Sequence, residues 1–175
     1  ARKTIPSANL NKIFPTKLEK QSIKLENFLG HWGNVSIEEL CKICLIVKFI
    51  QPKKMLEIGT YNGMTTLQMA LNSPADCTTY TLDLPQEISA NLELSQLDTL
   101  VSKHFKDKFG TSIGSYFKDR NDIKIIQLLG DSATFDYSEI GNESVDIIFI
   151  DAAHDYENKE IDSEQAFKLI SKKGV

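Results

Sequence analysis

The chain has 175 residues, 41% hydrophobic and 25% charged, with a net charge of −4. That is enough to bury one substantial core and corresponds to a single domain. It has no run of 18 apolar residues and no basic start followed by an apolar stretch, so neither a membrane span nor a secretory leader is expected. Three cysteines are an odd number and make no disulfide framework, which points to a reducing cytoplasm.

The charge is uneven: residues 1–54 carry 10 Lys+Arg against 4 Asp+Glu, whereas residues 55–175 carry 10 against 20. A nucleic-acid partner would need the basic third to form one patch beside a crevice, with aromatic residues interleaved for stacking. The aromatics are not so placed, and a solvated lysine-bearing face is the simpler reading.

Residues 1–34 hold Pro6, Pro15, Gly30 and Gly33 among scattered Lys and Asn, and read as an irregular arm with one short helix near residues 16–29. His31 and Trp32 read as packing residues rather than pocket lining. The domain proper is expected to span 35–175. Ser36-Ile37-Glu38-Glu39 is a helix start with a carboxylate at N3. Leu40, Ile43, Cys44, Val47 and Ile50 then recur at helical spacing up to Gln51-Pro52, in a helix expected to pack under the first strand. Cys41-x-x-Cys44 lies within this helix with no second pair, so it reads as buried small hydrophobes rather than a zinc or redox site.

Met55-Leu56-Glu57-Ile58 is an apolar strand carrying one acid. It runs into Gly59-Thr60-Tyr61-Asn62-Gly63 and then a helix, and Tyr80-Thr81-Leu82-Asp83-Leu84 delivers a carboxylate 20 positions after Gly63. This pattern predicts a nucleotide-binding crossover, with unpaired helix N–H groups beside the ligand and Asp83 accepting ribose hydroxyls. Glu57 could instead cap neighbouring backbone N–H groups, and Asp83 could cap a helix. A dinucleotide fingerprint needs a glycine two positions after the first. Here that position is Tyr61, and an acid two before Gly59 suits a cationic ligand.

Residues 86–122 exceed a simple crossover. Leu92, Leu94, Leu97, Leu100 and Val101 suit an amphipathic helix, with breaks at Gly110 and Gly114 before Tyr116-Phe117. Such an insert on a sheet edge serves simple packing, a lid, or an oligomer contact such as a homodimer. Ile125–Leu129 reads as a third strand ending in Gly130-Asp131-Ser132, and Val145–Ile150 as a fourth ending in Asp151. Both read as strands buried on both faces of a parallel sheet. Four strand ends then bring Glu57, Asp83, Asp131 and Asp151 to one crevice.

At these motifs the chain resembles the class I S-adenosylmethionine-dependent methyltransferases, whose first motif is [E/D]-x-G-x-x-x-G in many members. Glu57-Ile58-Gly59-Thr60-Tyr61-Asn62-Gly63 looks most like the small-molecule O-methyltransferase branch. Gly130-Asp131-Ser132 resembles the adenine-contacting motif. Phe149–Glu157 is similar to an I-D-x-x-H-x-Y-E signature, Ile161–Lys173 to the following helix, and Lys172–Val175 to the turn before a fifth strand. The resemblance implies a Rossmann-like, doubly wound α/β fold with a mainly parallel sheet of seven strands, the last three not in this sequence. It implies S-adenosylmethionine as cofactor, held by Glu57, Gly59, Thr60, Tyr61, Asn62, Gly63, Asp83, Leu84, Gly130, Asp131, Ser132 and Asp151. It also implies a small-molecule acceptor with an oxygen nucleophile.

Methyl transfer is an in-line displacement, so alignment supplies much of the rate and a hydroxyl acceptor needs only a base. His154 is one candidate base. Asp151 as a Mg²⁺ ligand is the alternative, and the resemblance to metal-dependent relatives slightly favours it. His154 could equally cap the next helix or pair with Asp155. A catalytically silent nucleotide-binding module and a nicotinamide or nucleotide-sugar enzyme on a related sheet stay open.

Overall fold

A computed structural model describes residues 21–28, 33–85, 113–152 and 156–175. Helix α1 spans Ile37–Ile50 and opens on a complete capping box, the Ser36 hydroxyl accepting from the Glu39 N–H while the Glu39 carboxylate accepts from the Ser36 N–H at 2.9 Å. It ends at Gln51, which turns left-handed at φ 53° immediately before Pro52. The buried residues Leu40, Cys44 and Val47 form the expected stripe.

Strand β1 is Lys54–Ile58, helix α2 Met64–Asn72, β2 Thr78–Asp83, β3 Ile125–Leu129, β4 Ile147–Ile150 and α3 Tyr156–Leu169. All three strand pairings are parallel, in the order β3-β2-β1-β4. The order reverses between β1 and β4, so the crevice outside their carboxyl ends is the topological switch point of an open α/β sheet.

The period-two alternation of strands divides the core. Leu56, Ile58, Tyr80 and Leu82 pack with Tyr137, Ile140, Val145 and Leu169 on one face, joined by Ile126, Leu128, Ile148 and Ile150. Met55, Ile147 and Phe149 pack on the other face with Val47 of α1, Met69 of α2 and Cys77. Helix α1 therefore does lie against β1. The same parity assigns Glu57, Thr81, Asp83 and Asp151 to the α1/α2 side of the sheet, at its carboxyl end.

The structure corrects three expectations. Residues 21–28 are not helical; the Lys24 and Glu26 backbones instead bond to the side-chain amides of Asn72 and Gln68, each in both directions at 2.7–3.0 Å. Strand β3, outermost among the described strands, is not buried on both faces: Gln127 and Leu129 are exposed on one face while Ile126 and Leu128 pack inward on the other. Helix α3 starts at Tyr156 and ends at Leu169, where Val145 and Ile170 form an isolated parallel bridge.

The backbone of Val175 bonds to both sides of Ile147, donating to the Asp146 carbonyl at 3.0 Å and accepting from the Ile148 N–H at 2.9 Å. Val175 thus lies alongside β4 in parallel register. His31, Trp32, residues 86–112 and Ala153-His154-Asp155 lie outside the described residues, and with them the expected helix of the insert.

Candidate cofactor site at the β1–β4 switch point

The glycine loop between β1 and α2 is fixed from three sides. Gly59 sits at φ 100°, and a Cβ there would overlap the Asp151 carbonyl, so only glycine lets β4 end this close to β1. Its N–H donates to the Leu82 carbonyl at 2.8 Å, and the Asp151 N–H donates to the Ile58 carbonyl at 2.8 Å. Tyr61 is left-handed at φ 50°, an uncommon conformation for a bulky residue. One carboxylate oxygen of Asp83 holds it there, accepting from the N–H groups of Thr60 at 3.0 Å and Tyr61 at 2.7 Å. The other oxygen accepts from the Leu84 N–H at 2.8 Å. In this structure Asp83 is therefore an organiser of the glycine loop rather than a helix cap. Burial pushes its carboxyl up, against these three bonds, which pull it down.

Gly63 is the N-cap of α2 at φ 81° and contributes no side-chain cap; the Asn62 side chain accepts from the Met64 N–H at 3.0 Å instead. A Cβ on Gly63 would overlap the ring of Phe117. An aromatic ring is thus seated where a side chain on Gly63 would stand.

Glu57 is 1% exposed. It accepts a hydrogen bond from Thr66 of α2, and Thr66, Thr81 and Thr60 form a chain of hydroxyls, the last pair 2.6 Å apart. Its carboxyl is pushed up to about 8, first by burial and then, against the Thr66 bond, by the negative charges of Asp151 and Asp83. Three carboxylates thus meet around the loop at the switch point.

Asp131 and Ser132 lie one strand further out. Gly130 donates to the Asp83 carbonyl at 2.9 Å, which places their turn beside the loop, but Asp131 is exposed and its carboxylate accepts from the Ala133 N–H at 2.9 Å. Ser132 accepts from the Tyr137 hydroxyl through its carbonyl at 3.0 Å.

The hydroxyls of Thr66 and Thr81, and the packing of Phe117 on Gly63, were not singled out from the sequence. The threonines could have been found, because Thr81 shares strand parity with Asp83 and Thr66 falls one helical turn into α2. The Phe117 contact carries no local signal. Cys44 behaves as a buried hydrophobe: its thiol is pushed up to about 12 by burial and contacts the Gln68 carbonyl.

A parallel sheet with a glycine loop and three acids at its switch point defines an open, Rossmann-like α/β domain. Residues 56–175 match the family described as a methyltransferase domain, and the chain belongs to that family. Among solved structures it is similar to the SAH-bound methyltransferase PaMTH1 of Podospora anserina, at a TM-score of 0.50 and 19% identity, covering 98% of this chain and 70% of that one. It is also similar to the O-methyltransferase of Bacillus cereus in complex with SAH, at 0.48 and 20%, covering 80% and 55%. For the O-methyltransferase TomG of Streptomyces achromogenes in complex with SAM the values are 0.41 and 18%, covering 68% and 45%. The chain thus spans about half the length of the last two, and at these identities the likeness is one of fold. No curated protein matches the sequence significantly.

Proposed function

We propose that this domain binds S-adenosylmethionine at the carboxyl edge of β1, β2 and β4 and transfers its methyl group to an oxygen nucleophile of a small molecule. The observation that carries the reading is the buried carboxylate of Glu57, ringed by the hydroxyls of Thr66 and Thr81 and the charges of Asp151 and Asp83. Burial and the two neighbouring charges keep Glu57 protonated while the site is empty, and a ligand bearing positive charge favours its ionised form; the sulfonium and amino groups of S-adenosylmethionine supply that charge. Tyr61, where a dinucleotide loop has glycine, disfavours a pyrophosphate. The acidic turn at Gly130-Asp131-Ser132 borders the adenine side, and Asp83 reaches the ribose through lone pairs left after its backbone bonds.

In this mechanism the chain aligns the acceptor oxygen with the sulfonium methyl and keeps water out, and a base takes the acceptor's proton. His154 is the sequence's candidate for that base. Asp151 is the alternative: as one ligand of a bound Mg²⁺ it would help to orient the acceptor hydroxyl and lower its pKa. The three cysteines are free thiols, which fits the reducing cytoplasm we assign to it. No helix among the described residues is long and apolar enough to cross a membrane.

The test is transfer from a donor carrying a labelled methyl group to a panel of hydroxylated acceptors. Label should appear on an acceptor oxygen; turnover lost on chelation and restored by Mg²⁺ assigns the proton step to a metal at Asp151, whereas turnover indifferent to chelator and lost in His154→Ala assigns it to His154. Cofactor binding without transfer to any acceptor would contradict the enzyme reading and favour the silent module.

A further inference from the structure

The segment Ile113–Arg120 crosses the mouth of the glycine loop, 50 residues further along the chain, and touches it by backbone as well as by side chain. The Gly114 N–H donates to the Tyr61 carbonyl at 3.1 Å and the Tyr116 N–H to the Asn62 carbonyl at 3.1 Å. Phe117 is buried, with its ring against both Gly63 and Gly114. Gly114 lies at φ 71° and its Cβ position is filled by that ring, so the strap can turn here only with glycine. Tyr116 packs into a cluster with Leu40, Met64 and Phe28, which carries the contact on to the N-terminal segment.

The strap is tied down at its far end. Arg120 donates to Asp122 through two nitrogens, at 2.7 and 2.6 Å, and uses its remaining terminal nitrogen to bond Glu26 at 2.5 Å. Glu26 also pairs with Lys24, and its backbone is held by the Gln68 amide of α2 in both directions. Lys24 and Arg120 together hold the Glu26 carboxyl below the usual carboxylate range, so this pair stays charged at neutral pH. A closed circuit results: loop, strap, Arg120, Glu26, α2, and back to the loop through the Gly63 cap.

We infer that Phe117, Arg120 and Glu26 are positioning residues for the cofactor loop, with Arg120–Glu26 the latch that holds the strap against Tyr61 and Asn62. The loop needs such support because Tyr61 is kept in a left-handed conformation that local sterics oppose. Asp83 holds its N–H from beneath and the strap holds its carbonyl from above. A fluctuation that releases the strap frees the carbonyls of Tyr61 and Asn62 and lets the loop relax away from the geometry a ligand requires. Cofactor affinity then depends on the closed fraction of the strap. The inference rests on reading Tyr61–Gly63 as the cofactor loop.

Two measurements on the whole chain test it. Hydrogen exchange at the Gly114 and Tyr116 amides reads the latch with no ligand present, and calorimetric titration with S-adenosylhomocysteine reads its effect on the site. Arg120→Met should speed exchange at both amides and weaken S-adenosylhomocysteine binding by about fivefold each, the scale of a partly exposed ion pair. Arg120→Lys, which keeps a charge for Glu26, should restore most of both, and Glu26→Gln should mimic the Met variant. Unchanged exchange in Arg120→Met overturns the latch. Faster exchange or a lowered thermal midpoint with unchanged affinity would make the strap merely structural and overturn the positioning role. A wild-type chain that does not bind S-adenosylhomocysteine would refute the cofactor reading instead, and the exchange data would still decide the latch.

Discussion

Glu57 and Asp83 sit on adjacent strands and do different work. Glu57 is inaccessible to water, and its carboxyl is raised from 4.5 to about 8. The folded chain therefore holds a proton there that the unfolded chain releases. Between pH 4.5 and about 8 the cofactor-free protein should lose stability as pH rises, levelling off above that range. Glu57→Gln should flatten this slope and stabilise the free protein at pH 8 while weakening S-adenosylmethionine binding, since the amide offers a cation no charge. Denaturant melts across the pH range, paired with titrations, check both signs; a variant that binds as well as wild type would remove Glu57 from the site. Asp83 makes three backbone bonds, so Asp83→Ala should cost stability as well as affinity. Hydrogen bonds to charged groups are worth about 1.5–3 kcal/mol each. Asp83→Asn, which retains acceptors for Thr60 and Tyr61, should keep more of the stability than of the affinity, as parallel unfolding and binding curves would show.

At the scale of elements, the N-terminus of α2 is the joint on which the site turns. Gly63 is required there by its φ of 81° and by the Phe117 ring. Gly63→Ala should destabilise the domain by at least about 1–2 kcal/mol, the cost of a left-handed non-glycine residue. Part of any further loss should vanish in a Phe117→Ala background, where the overlap is relieved. A double-mutant cycle with no coupling would show that the ring does not set the requirement.

These elements also show what a sequence can reveal. The α1 start was legible because Ser36 and Glu39 satisfy each other within one turn, and the crossover because Gly59, Gly63 and Asp83 stand at spacings that chain geometry dictates. The helix expected near residues 16–29 failed over 21–28, where long-range bonds to Gln68 and Asn72 replace local ones. The seat of Phe117 on Gly63 was illegible for the same reason: nothing in either neighbourhood encodes a contact between residues more than fifty positions apart.

For the whole molecule, the sheet order places the three acids together without any of them being adjacent in sequence. β1 lies between β2 and β4, so Glu57 meets Asp83 on one side and Asp151 on the other. The cationic-ligand reading is a consequence of that topology joined to the parity of each strand. The measurement that tests it most directly is competitive calorimetric titration of the chain with S-adenosylhomocysteine, S-adenosylmethionine and NAD at neutral pH. Both sulfur nucleosides should bind at one site per chain, S-adenosylmethionine should lose more affinity than S-adenosylhomocysteine on Glu57→Gln because it carries the sulfonium charge, and NAD should neither bind nor compete. Preferential binding of NAD, or equal losses for the charged and uncharged cofactor forms, would contradict the account.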